Sequence, residues 1–317
     1  VGVYYDIAVF TNLSPEHLPS HGGSFDKYKE AKAKMFSVVS KHKKVIDGKQ
    51  IEKIIIANND SEHAQYYLQF KADKKITFAL KNDADYVAEK VEETDEGVSF
   101  ELKNEPFKIG IMGKFNVYNA LPAIIISRLF GVSGSLIKKG LWELKVIPGR
   151  MEKIEEGQNF TVIVDYAHEK QSMTNVLETA NNMRKNGSKI IILLGAEGGG
   201  RDKSKRPIMG ELAAKMADFV VVSNVDPYED DPRQILEDIA TSAEKFGKIR
   251  DNNLFILEDR RSGIRKALSL AESEDIILIT GKGAEQSIQI GGKILPWDDR
   301  IVAREELRVL CRRSIKN

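Results

Sequence analysis

An α/β fold in two successive domains, residues 1–146 and 147–317, is what the sequence predicts, and three observations carry that reading. The chain has 317 residues, where one domain usually takes roughly 100–200. Apolar runs of strand length alternate with amphipathic stretches of helix length, the pattern of strands covered by helices. Between the halves, Val146-Ile147-Pro148-Gly149 places Pro and Gly together, a turn signal that separates a first half of mixed character from a second of regular rhythm.

The first half opens with a strand-like run at 7–11, then a helical stretch at 25–40, a strand at 51–57, a helix at 61–71 and a strand at 76–80. From 86 to 112 the pattern changes to short alternating segments, 98–102 and 107–112, which read as antiparallel strands. Helices follow at 117–130 and 133–144. The first carries an apolar band of Ala120, Leu121, Ala123, Ile124, Ile125 and Leu129, as a helix buried on most sides requires. In the second half, strands at 160–164, 189–194, 219–223, 254–257 and 276–280 alternate with helices such as 205–215 and 232–245. Strands this apolar belong to a mostly parallel sheet covered on both faces, so ligands should lie beyond the carboxyl ends of its strands. The chain enters a core strand directly after Val1-Gly2-Val3, and we expect it to be the remainder of a longer polypeptide.

Composition narrows the function. Forty-eight basic and 47 acidic side chains leave a formal charge of +1, which argues against a nucleic-acid or acidic-membrane partner. One cysteine, Cys311, makes no internal disulfide and suits a reducing cytoplasm. No apolar run approaches the roughly 18 residues of a membrane span.

Four polar clusters sit where chemistry is expected. In Thr11-Asn-Leu-Ser-Pro-Glu16-His17, Glu16 and His17 can ligate a metal or hold a phosphate, although a loop with a helix-capping serine has the same composition. The next helix holds Tyr28, Ala31, Lys32 and Phe36; for any one of its lysines a solvated basic face is the plain alternative. Asn116 in Gly113-Lys-Phe-Asn116-Val-Tyr-Asn119 suits a helix cap, whereas Asn119, a turn further, makes sense beside a ligand at the helix N-terminus. Arg150 in Pro148-Gly-Arg-Met-Glu152 can pair with phosphate, and Asp165 and His168, just after a buried strand, face a ligand or cap the next helix. Gly195-Ala-Glu-Gly-Gly-Gly200-Arg201-Asp-Lys-Ser-Lys205-Arg206-Pro207 is a glycine-rich strand exit with four basic residues, fit for an anion. It lacks the Gly-Lys-Ser/Thr of a Walker A loop, which the chain supplies nowhere else. Gly281-Lys-Gly-Ala-Glu285 repeats the strand-then-glycine arrangement on a smaller scale.

Taken in order, these segments resemble the Mur ligases, ATP-dependent amide-forming enzymes of peptidoglycan synthesis, and within them the branch that adds the third stem-peptide residue. The matching stretches are Phe10-Thr-Asn-Leu-Ser14 with His17 and His21-Gly22; Tyr28-x-x-Ala31-Lys32; Gly113-x-Phe-Asn-x-x-Asn119; Pro148-Gly-Arg-Met-Glu152 with Val164-Asp-Tyr-Ala-His168; Gly199-Gly-Arg-Asp-Lys-x-Lys-Arg-Pro207; Gly281-Lys-Gly-x-Glu285; and Asp298-Asp-Arg-x-Val-Ala-Arg304.

The resemblance implies a central ATPase domain, N-terminally incomplete, over 1–146 and a Rossmann-like C-terminal domain over 147–317, with the UDP-sugar domain and the phosphate loop lying upstream. It implies ATP and Mg2+ as cofactors, UDP-MurNAc-dipeptide and an amino acid (lysine, diaminopimelate or another) as substrates, and a cytoplasmic monomer. An acyl phosphate forms on the dipeptide carboxylate and the amine of the amino acid displaces phosphate. His17 and Lys32, the latter as a carbamate, match metal ligands; a carbamate oxygen is a hard donor where an ammonium is not. Asn119, Arg150, Asp165 and His168 match nucleotide-side residues, Arg150 with a catalytic part. Arg201, Lys205, Arg206, Asp226 and Glu285 match the grip on the incoming amino acid.

This chain departs from the family pattern in places. Diaminopimelate-adding members carry Asp-Asn-Pro-Arg after the third C-terminal strand, where this chain has Val225-Asp226-Pro227-Tyr228, and tyrosine supplies no bidentate cation. Ala284 stands where His is usual, and Glu16 where Asp is. Two alternatives accompany the ligase reading. One is a catalytically incomplete relative that binds nucleotide or a partner; the other is a related ligase such as folylpolyglutamate synthetase, against which the basic loop at 199–207 argues.

Overall fold

The computed structural model describes residues 3–15, 18–94 and 96–314, and the chain divides into two compact units, Val1–Lys145 and Val146–Asn317.

In the first unit β1 (Ile7–Phe10) leads through a 3-10 turn (Leu18–His21) to α1 (Phe25–Lys41), whose first turn is capped by the Ser24 hydroxyl accepting from the Lys27 amide. A hairpin of β2 (Val45–Ile46) and β3 (Lys49–Gln50) precedes β4 (Ile54–Asn58), α2 (Ala64–Leu68) and β5 (Lys74–Ala79). Then come β6 (Tyr86–Thr94), β7 (Gly97–Leu102), β8 (Glu105–Ile109), α3 (Phe115–Leu129) and α4 (Gly134–Glu143). The strands lie in the order β1-β4-β5-β6-β7-β8, parallel as far as β6 and antiparallel beyond. Period-two alternation along β4 feeds two cores. Ile54 and Ile56 join Leu121, Ile124 and Ile125 of α3, while Ile55 and Ala57 join Phe36 and Val39 of α1 and Tyr67 of α2.

Several elements are shorter than the sequence pattern predicts. The strand predicted from 51 starts at Ile54, because the Lys53 amide donates to Asp73 Oδ2 (2.7 Å) and its buried ammonium reaches Asp6 Oδ1 (2.8 Å) and the Tyr5 carbonyl (3.0 Å). The predicted helix at 61–71 contracts to Ala64–Leu68. The strand predicted over 107–112 ends at Ile109. Gly113, at φ +93, then turns the chain into α3 in a conformation side chains rarely adopt.

The second unit runs β9 (Glu152–Ile154), β10 (Thr161–Asp165), α5 (Lys170–Met183), β11 (Ile190–Leu194), α6 (Lys205–Met216) and β12 (Phe219–Ser223). It continues with α7 (Pro232–Lys245), β13 (Leu254–Leu257), α8 (Arg260–Ser269), β14 (Ile276–Thr280), the hairpin β15 (Ser287–Ile290) and β16 (Lys293–Pro296), and α9 (Asp299–Ser314). The sheet order is β13-β12-β11-β14-β10-β9, parallel except for β9 at its edge. One face, with Val164, Leu193, Val221 and Ile279, packs under α8 and α9. The alternate residues Ile163, Ile192, Val220 and Leu278 are equally buried, and α6 and α7 pack on β12.

A fully buried pair closes the carboxyl edge of this sheet. Arg260 Nε and Nη2 donate to Asp299 Oδ1 (2.8 Å) and Oδ2 (2.6 Å), and the same guanidinium donates to the carbonyls of Asn224 (3.1 Å) and Thr280 (2.8 Å). Trp297 Nε1 also donates to Asp299 Oδ1 (2.8 Å). The exits of β12 and β14 are thereby tied to the start of α9 by one side chain that satisfies every group it meets.

Candidate functional site

Strand order in the second unit decides where its polar clusters meet. β11, β14 and β10 are adjacent although far apart in sequence: the chain steps one way across the sheet from β10 to β13 and then reverses to seat β14 between β11 and β10. Crevices form at such reversals. The loops after β10, β11, β12 and β14 carry Asp165–His168, the glycine-rich 195–200, 224–228 and Gly281–Glu285 respectively, so all four open at one edge of the sheet.

The β10 exit is organised around Asp165. Its Oδ2 accepts from the Met151 amide and its Oδ1 from the Ala167 amide, each at 2.7 Å. Burial pushes this carboxyl up, against the pull of those two amides and of Arg150 and His168. Glu152 Oε2 accepts from the Gly149 amide (2.8 Å), and Met151 sits at φ +46. Gly149 has φ +63, and a Cβ there would lie 2.1 Å from the Ala284 amide nitrogen, so the turn lies flush against the β14 loop. This packing presents Arg150, which is exposed and lies 4.6 Å over the Tyr166 ring; no described residue accepts from its guanidinium. The His168 Nδ1–H donates to the Tyr166 carbonyl (2.8 Å), which places the proton on Nδ1. Asp165, expected at the cofactor, acts here on the backbone of the turn that carries Arg150.

The basic residues after β11 divide into two kinds. Arg201 is exposed and bonds the Tyr228 hydroxyl, with Glu197 close enough to strengthen its charge; both keep its guanidinium above the ordinary value. Lys205 is buried between Glu169 Oε1 (3.0 Å) and Glu197 Oε2 (3.6 Å). Arg206 is buried too, its Nη1 on Asp238 (2.8 Å) and its Nη2 on the Glu197 carbonyl (3.2 Å). Lys205 and Arg206, expected to grip a substrate, are instead buried against carboxylates of neighbouring segments and hold α6 and its loop in place; Arg206 Nε has no partner among the described residues.

A similar division holds around β12 and β14. Asp226 is buried, with Oδ2 on the Lys282 ammonium (2.7 Å) and Oδ1 accepting from the Gln289 amide (2.7 Å). That amide belongs to the β15–β16 hairpin, which also pairs with Tyr228. Asp226 too is therefore turned inward rather than toward a ligand. Glu285 faces outward, its Oε1 3.4 Å from the Tyr166 hydroxyl. Burial, then the charges of Glu285 and Glu197, raise the Tyr166 phenol above its ordinary value. Lys282, which sequence reasoning passed over, binds both Asp226 and Glu285. Its only signal was a Gly-x-Gly flank.

In the first unit the expected residues are spread more thinly. Glu16 and His17 lie outside the described residues. Lys32 is exposed on α1 with its ammonium 5.2 Å from the centre of the Tyr28 ring. Among the described residues no three His, Cys, Asp or Glu side chains converge on a point that could hold a metal, so the donors described do not by themselves fit Mg2+. Asn116 is buried and donates to the Met112 carbonyl (2.6 Å), while its oxygen accepts from Asn119 Nδ2 (2.9 Å). This leaves the Asn119 oxygen on the surface, with no donor among the described residues, able to accept from an amine such as that of adenine.

The comparisons with known proteins fall on the same two units. The family model of the Mur ligase middle domain matches residues 1–127, and that of the Mur ligase glutamate ligase domain matches residues 149–283. The chain belongs to the Mur ligase family. It is 37% identical to the UDP-N-acetylmuramoyl-L-alanyl-D-glutamate–2,6-diaminopimelate ligase of Geobacillus thermodenitrificans over 97% of its own length and 61% of that protein's. It is 34% identical to the UDP-N-acetylmuramyl-tripeptide synthetase of a Roseiflexus species, over 98% and 61%. A solved diaminopimelate ligase of the same type superposes with a TM-score of 0.59 at 29% identity, covering 98% of this chain and 61% of that one. The chain thus spans about three fifths of the length of the relatives it matches. No helix among the described residues is long and apolar enough to cross a membrane.

Proposed function

We propose that the protein is an ATP-dependent ligase that joins the third amino acid to UDP-MurNAc-L-Ala-D-Glu in peptidoglycan precursor synthesis, as a cytoplasmic monomer. The observation that carries this reading is the set of charged groups turned toward solvent at the adjacent exits of β10, β11 and β14. Arg150 and Arg201 are exposed guanidiniums suited to phosphate or carboxylate, and Glu285 is an outward carboxylate suited to an ammonium.

In the reaction proposed, the dipeptide carboxylate attacks the γ-phosphorus of ATP, giving an acyl phosphate and ADP. The amine of the amino acid then attacks the acyl carbon, phosphate leaves with the C–O bond electrons, and the amine gives up a proton. Arg150 neutralises charge on phosphoryl oxygens, which a rigid cation does without reorganisation. Asn119 accepts from the adenine amine, with His168 and the Asp165-held turn beside the nucleotide. Arg201 binds the carboxylate of the amino acid, which is lysine, diaminopimelate or another, and Glu285 binds its ammonium. Mg2+ supplies further neutralisation when bound, with His17 and carbamylated Lys32 as the residues proposed to hold it.

The test is phosphate release by the intact protein with ATP, UDP-MurNAc-L-Ala-D-Glu and single amino acids, with product mass as the second readout. The expected result is release that requires both substrates and a product heavier by one amino-acid residue. Nucleotide binding without amide product defeats the ligase reading and leaves the incomplete relative.

A further inference from the structure

Lys282, with 1% of its side chain exposed, is a buried cation at the carboxyl edge of the second sheet, and it bridges two carboxylates of unlike standing. Asp226 is sealed in, one oxygen on Lys282 and the other on the Gln289 amide. The Glu285 side chain is 38% exposed, with Oε2 on Lys282 (2.8 Å) and Oε1 toward the Tyr166 hydroxyl. Gly281 and Gly283 supply the φ of +107 and +54 that this loop takes, where other residues would be strained. A Cβ on Gly283 would lie 2.8 Å from both the Gly149 carbonyl and Tyr166 Cβ. A buried ion pair serving stability alone is poorly chosen, since apolar replacements often do as well. Here two carboxylates share one ammonium, so the group of three keeps one formal negative charge, and Glu285 is its only member that reaches solvent appreciably.

We propose that Lys282 is a positioning residue: anchored by Asp226, its ammonium fixes the Glu285 carboxylate so that Oε1 and the Tyr166 hydroxyl together receive the ammonium of the incoming amino acid. Asp226 acts only through Lys282. The proposal rests on the ligase reading above.

Steady-state kinetics of the intact protein test it, with the amino acid and ATP varied separately in Glu285→Gln, Lys282→Met and the double variant Asp226→Asn/Lys282→Met. The double variant removes both buried charges at nearly constant shape and is the one that decides, since Lys282→Met alone strands Asp226 and can unfold the protein. Loss of one charge-assisted hydrogen bond predicts a KM for the amino acid raised about tenfold or more in Glu285→Gln and in the double variant, with the KM for ATP within about twofold of the parent. A parental amino-acid KM in the double variant overturns the positioning role while Glu285→Gln still impaired leaves the site reading intact. An equal rise in both KM values overturns it as well, marking general disturbance. A parental amino-acid KM in Glu285→Gln removes the amine subsite itself, and the proposal with it.

Discussion

In the first unit the carboxylate of Asp60 is gripped by the amides of Leu80 (2.7 Å), Lys81 (3.1 Å) and Asn82 (2.8 Å) and by the Tyr118 hydroxyl (2.8 Å), whereas in the second that of Asp299 is gripped by a buried guanidinium. Burial alone raises Asp60, yet its amide and phenol donors outweigh it and hold the carboxyl below the ordinary value. The contrast extends beyond these two: Asp226 has Lys282, and Glu306 has Arg261 and Arg265. Asp6, paired with Lys44 and Lys53, and Glu105, paired with Arg128 and Lys138, depart from it in the first unit, as Asp165 and Asp275, held by amides, do in the second. Amides come with the chain, so Asp60 needs only that one loop follow β5. Guanidiniums are brought from other helices, so the exits of β12 and β14 in the second unit are fixed through partners distant in sequence, while that of β10 rests on amides taken by Asp165. The solvent-facing Arg150, Arg201 and Glu285 stand on that framework.

The largest effect should come from removing the keystone. Arg260→Met leaves Asp299 buried without a cation and strips donors from the Asn224 and Thr280 carbonyls, for a loss of about 3–5 kcal/mol. Urea unfolding followed by Trp297 emission, in a Trp142→Phe background, measures it. A loss below about 1 kcal/mol would break the comparison, since the guanidinium would then be dispensable.

Asp60→Ala tests the other side. Three amides and a phenol lose their acceptor, and about 1–3 kcal/mol is expected because the site is only partly buried. Hydrogen exchange at Leu80, Lys81 and Asn82 reads it locally; unchanged protection would show that the loop holds without the carboxylate. Tyr118→Phe removes a single leg of the same grip and should cost about 0.5–1.5 kcal/mol, with amide protection largely kept.

Legibility in the sequence follows the same division. The five parallel strands of the second unit were readable because burial on both faces forces continuous apolar runs, and each lies within a residue of its predicted span. The two hairpins were passed over although both carry turn dipeptides, Asp47-Gly48 between β2 and β3 and Gly291-Gly292 between β15 and β16, with φ positive at all four. The strands there are too short to show a period. Arg150 was a candidate by residue type and place, Glu285 by resemblance alone. The inward turn of Asp226, Lys205 and Arg206 was not, since it depends on partners such as Asp226 for Lys282, 56 residues away. No local pattern records such a pairing, and an acid or base beside a glycine loop reads the same whether it faces water or a buried partner.

The smallest effect separates the two grips by their response to the solvent. Hydrogen bonds from Arg265, and then Arg261, hold Glu306 below its ordinary 4.5 despite burial. Its folded value being lower than its unfolded one, its contribution to stability is complete above about pH 4.5 and is lost as pH falls through the folded value. Glu306→Gln should therefore be less stable than the parent near neutral pH, and the two should converge on acidification. The guanidinium partners reach water, Arg265 with 59% and Arg261 with 38% of its side chain exposed. At about 1 M salt, where charges are screened within ~3 Å, the neutral-pH gap between Glu306→Gln and parent should shrink. The gap for Asp60→Ala should not, because backbone dipoles in direct contact are not displaced by ions. Paired urea titrations at low and high salt check this. Equal salt responses in the two variants would mean that the carboxylates of both units are held in one way, whatever the identity of their donors.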